Sequence, residues 1–592
     1  MSSPPNRSNV LLQRLVVAAL FLLAAILVIF PMRDYDTFWY LANGRSLFET
    51  GKIVDREIFS YTAFGTPFRN IGWLGQYILY LVYRTGGPDA LIVFKTGITL
   101  LTAALLYRTG RMLGSPRVWA ALLMLFVVYA QLWRFVERTQ IFTYLLLALF
   151  GYIYHGWRAG KHPEWYIWLV PAIIGGWDLF HGSAYGLLLL CAVVAGELVC
   201  WFSKGRSAAW PGLASLSPER FRALLMAAAL AILLLAVNPY GLLHGNLHYI
   251  LNVINGNTEA QHVGEYLPPG FKQYLPFWLL LLATGIALCA AGRSLPPLWL
   301  FIALPFGALA VRHCRSIEAF GLVVYPILAI TSARYADLLD RYRPRLHRLL
   351  LTVAAVTFSA YLLHFKFVQQ QYRYTADETD INDFSFRLGI NENYFPVGSS
   401  RFIAANNVEG RMFNSDRYGG YLAYFLAPDR PIFHYNHPSI FRHIYGYLHN
   451  PAERQKYGIT YAIVARDDEF QMFQRDGFVP VYWEPTAMVL LKPSLENRPL
   501  ILRYAIKHFE PLLSAAQIAG IASDQRAFQR LIVEMADYLA FREDPRIALI
   551  FTEMLQRADA PFTAQQRRAL AKRVQHFNGN NPVLAVLYKQ LD

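Results

Sequence analysis

Apolar runs of about 17 to 25 residues, each long enough to cross a bilayer as a helix, recur through the first 365 residues. They lie near 11–31, 88–107, 117–133, 139–157, 164–177, 183–203, 222–238, 274–292, 295–311, 316–332 and 347–364. In hydrocarbon an unpaired backbone N–H or C=O is costly, which restricts such a chain to helices or a closed barrel, and runs of this length are helical. The reading is a bundle of about eleven transmembrane helices. Segment 164–177 is short for a span and is read as tilted or partly re-entrant. Gly72 to Tyr83, ended by Arg84-Thr85-Gly86-Gly87, is read as a helix along the surface. No small-x-small cleavage pattern follows LVVAALFLLAAILVIF, so this run is expected to be retained as the first helix. With 55% hydrophobic and 15% aromatic residues, the composition excludes an ordinary soluble enzyme. Cys191, Cys200, Cys289 and Cys314 are too few for a disulfide framework.

Basic residues fix the expected orientation. Arg7 and Arg14, Arg108, Arg111 and Arg117, Arg158 and Lys161, Lys204 to Arg222, Arg293, and Arg334 to Arg348 fall on one side if the helices alternate. That side is read as the cytoplasm, with the N-terminus in it. The net charge of +15 is then a topology signal, aided by attraction to anionic membrane lipids, and it does not call for nucleic acid.

Threaded this way, the outer face collects acids, imidazoles and guanidinium groups from separate loops. They are Asp34 and Asp36; Arg134, Glu137, Arg138 and Gln140; Asp178 and His181; Asn238, His262 and Glu265; and Arg312, His313, Arg315 and Glu318. The pair Asp34 and Asp36 sits directly after the first span, at the start of an outside loop over 33–87. Carboxylates beside hydrocarbon are costly and read as functional, the alternative being that Asp36 caps the helix that follows. A mixture of acids and bases is what an acid/base site with an anion-binding element needs. Lys95 lies inside the second apolar run and must face a phosphate or lipid head group, or pair with a carboxylate.

The order of DTFWYLANGRSLFETGKI, FSYTAFGTPFRNIGWLGQYILYLVYRTGG, RFVERTQIFTYLL, WDLFHGSAYGLLL, NPYGLL followed by GEYLPPGF, and RHCRSIEAF resembles the GT-C superfamily of polytopic membrane glycosyltransferases, in a bacterial branch with poorly defined substrates. The resemblance covers roughly residues 10 to 490 and lies in the combination of segments. It implies an enzyme that takes a sugar from a polyprenyl-phosphate-linked donor on the extracytoplasmic side of a bacterial inner membrane. In that family an acid of the first outside loop is the usual catalytic or metal-binding position, and Asp36 matches it better than Asp34. The lipid A and protein mannosyltransferase patterns place a second acid beside the first, whereas Thr37 follows Asp36 here.

The residues support that chemistry directly. Glycosyl transfer to a hydroxyl needs a base, for which Asp36 is the candidate with Asp34 beside it. The departing lipid phosphate gains charge, which cations stabilise; Arg134, Arg138, Arg312, His313, Arg315 and Lys95 are the candidates. Glu137, Asp178, His181, His262 and Glu265 are further cavity candidates. A divalent ion is an alternative to those cations, with Asp34, Asp36, Asp178, His181, His262 and Glu265 as donors, but no standard metal spacing is present and metal dependence stays open. Trp39, Tyr40, Trp73 and Tyr266 offer rings for a sugar, but enrichment of Trp and Tyr at membrane interfaces explains them better and needs no ligand.

After about Lys366 the pattern becomes charged and alternating. SSRFIAANNVEG reads as helix, RMFN as strand, YGGYLAYFLA as helix, RPIFHYN as strand, YGITYAIVARDD as strand to helix, and VPVYWE with AMVLLKP as a closing strand pair. The expected organisation is a transmembrane region over 1–365, an extracytoplasmic α/β domain over 366–495, and a helical, tetratricopeptide-like tail over 496–592. The function expected is transfer to a glycan or lipid acceptor of the envelope. Two other classes stay open: a flippase for a lipid-linked saccharide, and a non-catalytic scaffold in envelope assembly.

Overall fold

The computed structural model describes residues 7–203, 215–237, 264–292, 296–370, 383–441 and 451–508 apart from isolated positions, with parts of 520–538. They fall into two compact units. The first comprises Met1–Asp55, Pro67–Gln371 and Asn382–Ile390; the second comprises Arg56–Thr66, Tyr372–Ile381 and Asn391–Asp592.

Unit 1 is helical. In chain order its helices are α1 (Arg7–Val28), α2 (Thr37–Thr50), α3 (Trp73–Met112), α4 (Arg117–Ala130), α5 (Gln140–Arg158), α6 (Leu169–Gly176), α7 (Ala184–Phe202), α8 (Pro218–Val237), α9 (Leu275–Ala291), α10 (Leu298–Arg312), α11 (Ile317–Tyr342) and α12 (Pro344–His364). Among the described residues, five helical segments are long and apolar enough to cross a membrane: Val10–Val28, Trp73–Met112, Ala184–Phe202, Cys314–Tyr342 and Pro344–Gln369. The chain is thus a multi-pass membrane protein. Helices α4, α9 and α10 are apolar but shorter. The described helices do not confirm the expected count of eleven spans. Segment 164–177 in particular breaks into a 3₁₀ turn, the eight-residue α6 and a second 3₁₀ turn, and α6 alone reaches only about 12 Å.

The bundle interior is packed by Leu27, Met124, Phe135, Trp157, Trp177, Phe320 and Tyr325, all buried. Leu349, Leu350, Val353 and Val356 of α12 are exposed, a stripe suited to lipid tails. Close helix approach needs small residues where no side chain fits. A Cβ on Gly75 would stand 2.6 Å from the carbonyl oxygen of Phe180, so this glycine lets the start of α3 press against the 178–181 turn.

The apolar stretch after Gly72 forms a helix of its own that ends, as its sequence predicts, at Gly86 and Gly87, whose non-helical backbone separates it from the second half of α3. Gly87 has φ 62° and ψ −148°, a conformation that only glycine adopts at low cost, and Pro88 restarts the helix.

Unit 2 holds a four-stranded sheet of order β1-β2-β4-β3, with β1 (Arg411–Asn414), β2 (Ile459–Val464), β3 (Val479–Trp483) and β4 (Met488–Leu491). Strands β1 and β2 are parallel, with Phe413 opposite Ala462; β2 with β4 and β3 with β4 are antiparallel. Helices α13 (Val397–Ala405), α14 (Asp416–Phe425), α15 (Asp468–Arg475) and α16 (Arg498–Tyr504) accompany it. β4 is buried along its whole length, as its uninterrupted MVLL predicts for an inner strand.

RPIFHYN does not join this sheet. Pro431 lacks a donor, and the Asn414 side chain takes the places that a ladder would use: its Oδ1 accepts from Phe433 N at 2.9 Å and its Nδ2 donates to the His434 carbonyl at 2.8 Å. Ile432 instead bridges Ser60 of the 56–66 segment. There Glu57, fully buried, accepts from the amides of Phe59 and Ser60 through Oε1, both at 2.7 Å, and from the Tyr435 hydroxyl through Oε2 at 2.6 Å. Burial pushes the Glu57 carboxyl above its ordinary range, and these donors pull it back. The expected tetratricopeptide-like tail lies for the most part outside the described residues.

Removing this carboxylate orphans two buried amides and a phenol at once. Glu57→Ala is expected to destabilise unit 2 by about 3 kcal/mol and Tyr435→Phe by about 1 kcal/mol. Limited proteolysis of the detergent-solubilised full chain across a temperature series reads both, and equal protection of Glu57→Ala and wild type would contradict the assignment.

Candidate functional site

Unit 1 assembles its charged residues from four places: the loop between α1 and α2, the loop between α4 and α5, the 264–266 turn, and the junction of α10 with α11. The first is set by a short turn in which Asp34 Oδ1 accepts the Asp36 amide at 3.0 Å. Asp36 occupies the N-cap position of α2, yet its side chain makes no capping hydrogen bond. Its Oδ2 lies 3.2 Å from the Arg138 guanidinium instead. The purely structural alternative for Asp36 is therefore not what its side chain does.

Arg138 is the hub. Its Nε bonds Asp34, and one terminal nitrogen reaches both Asp36 and Glu265 Oε1, the latter at 2.7 Å. Arg134, one turn earlier in the same loop, reaches the same Glu265 oxygen at 2.8 Å, Glu318 Oε1 at 2.6 Å and the Gln140 side-chain oxygen at 3.0 Å. Two guanidinium groups thus converge on a single carboxylate oxygen. Arg315 joins the field and stands 4.6 Å over the Tyr266 ring. Four carboxylates, Asp34, Asp36, Glu265 and Glu318, face three guanidinium groups, Arg134, Arg138 and Arg315, at low exposure.

This balance separates the two carboxylates that matter most. Burial pushes the Asp36 carboxyl up to about 6; Arg138 opposes the rise, while Asp34 and Glu265 add to it. Burial also works against the charge of Glu265, but Arg134, Arg138 and Arg315 outweigh it and hold that carboxyl well below its ordinary range. Asp36 is left able to exchange a proton near neutral pH, whereas Glu265 is held as an anion there.

His181 is placed by a short polar chain that starts at Trp177. Trp177 Nε1, which can only donate, bonds Thr143 Oγ1 at 2.9 Å, and Thr143 lies 3.0 Å from His181 Nδ1. Burial, then Arg315 and Arg134, push the imidazole down to about 3, so it is neutral under physiological conditions. Asp178 is fully buried and serves the turn: its Oδ1 accepts the Ser183 amide at 2.7 Å and its carbonyl accepts the Gly72 amide at 2.9 Å.

The sequence candidates therefore divide. Asp34, Asp36, Arg134, Arg138, Glu265 and Arg315 come together, and His181 lies close enough to feel the arginines. Lys95 and Glu137 form an ion pair at 2.8 Å with no solvent exposure, so Lys95 meets a carboxylate. Arg312 is exposed at the end of α10, outside the cluster. His313 holds the 264–266 turn by donating from Nδ1 to the Tyr266 carbonyl at 2.7 Å. His262 lies outside the described residues. Thr143 and Trp177 were not singled out from sequence; the visible signal was that Thr143 falls one turn after Thr139 and Gln140 on α5.

Among the described residues, no three His, Cys, Asp or Glu side chains are grouped to hold a metal ion. Asp34, Asp36 and Glu265 each direct an oxygen to Arg138, whose guanidinium stands where a shared ion would be. Among the described residues these three carboxylates are paired with a guanidinium group.

No family model matches this chain, and no curated protein sequence matches it. Solved structures to which it is similar include the following two. One is the archaeal oligosaccharyltransferase AglB from Archaeoglobus fulgidus in complex with an inhibitory peptide and a dolichol-phosphate, at 13% identity and TM-score 0.49, covering 78% of this chain and 70% of that one. The other is ArnT from Cupriavidus metallidurans bound to undecaprenyl phosphate, at 14% identity and TM-score 0.45, covering 82% of this chain and 98% of that one. At these identities and scores the likeness is one of outline, and the chemistry rests on the residues of this chain.

Arg138→Leu removes the shared counter-charge of Asp34, Asp36 and Glu265. The variant is expected to lose about 3 to 5 kcal/mol of stability. With Arg138 gone the folded-state pKa values of Asp36 and Glu265 rise, because the guanidinium that lowers both is lost. The loss is then smallest at low pH, where the acids are protonated, and grows as pH rises through those values. Thermal unfolding in detergent at pH 5 and pH 8 measures it; a deficit equal at both pH values would count against a charge role.

Proposed function

We propose that this protein is an integral membrane glycosyltransferase that moves a sugar from a polyprenyl-phosphate-linked donor to an acceptor hydroxyl on the extracytoplasmic face of a bacterial inner membrane. The observation that carries the reading is Asp36: a buried carboxylate at the end of the first apolar helix, not used as a cap, paired with Arg138 and titrating near neutral pH. The donor class and the side of the membrane rest on the sequence resemblance and on the distribution of basic residues.

Asp36 acts as the general base. With a pKa of about 6 it is ionised in most molecules at pH 7 and still basic enough to take the acceptor proton as oxygen attacks the anomeric carbon. The bond from that carbon to the lipid phosphate breaks in the same step, and the phosphate leaves with an added negative charge. Arg134 and Arg138 already converge on one anionic oxygen, that of Glu265. A phosphate oxygen that takes this position receives donors from both forks, and the growing charge is stabilised more in the transition state than in the ground state. Asp34 holds the Asp36 amide and Arg138 Nε, which keeps base and cation in register.

The test is glycosyl transfer in membranes carrying wild type or Asp36→Asn at matched expression, with a labelled pool of polyprenyl-phosphate sugars and mass detection of products. The wild-type rate is expected to rise with pH through an apparent pKa of about 6, because the basic form of Asp36 is the active one. Asp36→Asn is expected to lower the rate by about 100-fold or more and to flatten that profile. Equal products from both proteins would remove Asp36 from the mechanism.

A further inference from the structure

Lys95 and Glu137 do not reach the Asp36–Arg138 site, yet their contacts run to both of its roots. Lys95 lies on α3 beyond the Gly87 kink, and its Nζ is 2.8 Å from Glu137 Oε1, both side chains being fully buried. Glu137 immediately precedes Arg138 in the loop between α4 and α5. The same ammonium stands 3.7 Å from the centre of the Phe30 ring, and Phe30, also fully buried, lies four residues before Asp34. Arg33 approaches that ring as well, at 4.8 Å. Well-packed apolar residues stabilise such an interior as much as a buried ion pair does or more, so what the charges add is direction.

We infer that Lys95 is a positioning residue: its ammonium clasps the loop that carries Arg138, through Glu137, to the loop that carries Asp34 and Asp36, through Phe30. The proposal rests on the reading of Asp36 as the base. The separation between Asp36 and Arg138, 3.2 Å, is then set from below by a contact that touches neither. Releasing the clasp lets Arg138 draw away from Asp36. The carboxyl would remain faced by Asp34 and Glu265 from the neighbouring elements and by Trp39 and Tyr40 from its own helix. Its protonated form would then persist to higher pH.

A probe that reacts with protonated carboxyls reads this without any transfer assay. Membranes carrying the full chain are treated with dicyclohexylcarbodiimide across pH 4 to 9, and labelling of Asp36 is followed by peptide mass mapping, with Asp36→Asn as the blank. In wild type, labelling is expected to fall by half at about pH 6. In Lys95→Met/Glu137→Gln, a neutral replacement of the pair, the midpoint is expected at least one pH unit higher. Phe30→Leu keeps the ion pair and loses only the ring, so it serves if the double variant does not fold, and a smaller upward shift is expected. A midpoint unchanged in folded protein would overturn the clasp. If the midpoint shifts while wild-type membranes transfer no sugar, the clasp stands and the proposed function falls. If transfer is found and the midpoint stays, only the clasp falls.

Discussion

One guanidinium group, that of Arg138, holds three carboxylates from two separate loops at the end of the first apolar helix. Without it, Asp34, Asp36 and Glu265 would be like charges crowded at low exposure, an arrangement whose mutual repulsion and desolvation forbid full ionisation. The loop between α1 and α2, the loop before α5 and the 264–266 turn are thus tied by a single planar fork. Arg134 extends the same logic to Glu318 and shares the Glu265 oxygen, so the cluster is a connected network and not a set of separate pairs.

Burial and charge act differently on neighbours in that network, and the difference creates roles. Asp36 and Glu265 contact the same arginine, but Glu265 feels three guanidinium groups while Asp36 feels one guanidinium and two carboxylates. One is left close to neutrality and the other is locked as an anion. A proton acceptor and a fixed anion emerge from the same residue type through surroundings alone.

The helical class, the apolar spans and the meeting of acids with arginines were legible in the sequence because lipid imposes long uniform runs, and charges between such runs stand out against them. Asp36 and Arg138 could be nominated from their places in the loops. Their pairing could not, since the partners are 102 positions apart and nothing local encodes it. Lys95 was visible as an anomaly inside an apolar run, but its partner was equally well a phosphate or a carboxylate until the fold brought Glu137 to 2.8 Å. Arg312 and His313 resembled Arg315 in spacing and composition, and only the turn at the α10–α11 junction separates the exposed arginine from the one over Tyr266. RPIFHYN had strand composition, but a side-chain amide, that of Asn414, substitutes for a neighbouring strand, a competition that periodicity does not register.

The second unit takes in residues 56–66 as well as the chain beyond 390, and 378 positions separate Glu57 from Tyr435. At a synthesis rate of about 5 to 20 residues per second, the ribosome needs roughly 20 to 75 seconds to supply the phenol that this carboxylate awaits. During that interval the early segment has neither its bridge to Ile432 nor its hydrogen bond to Tyr435. The early segment therefore waits, its buried carboxylate unpartnered, until the later part of its own domain has been made. A gene fragment encoding only the later residues would express a sheet domain missing one of its pieces.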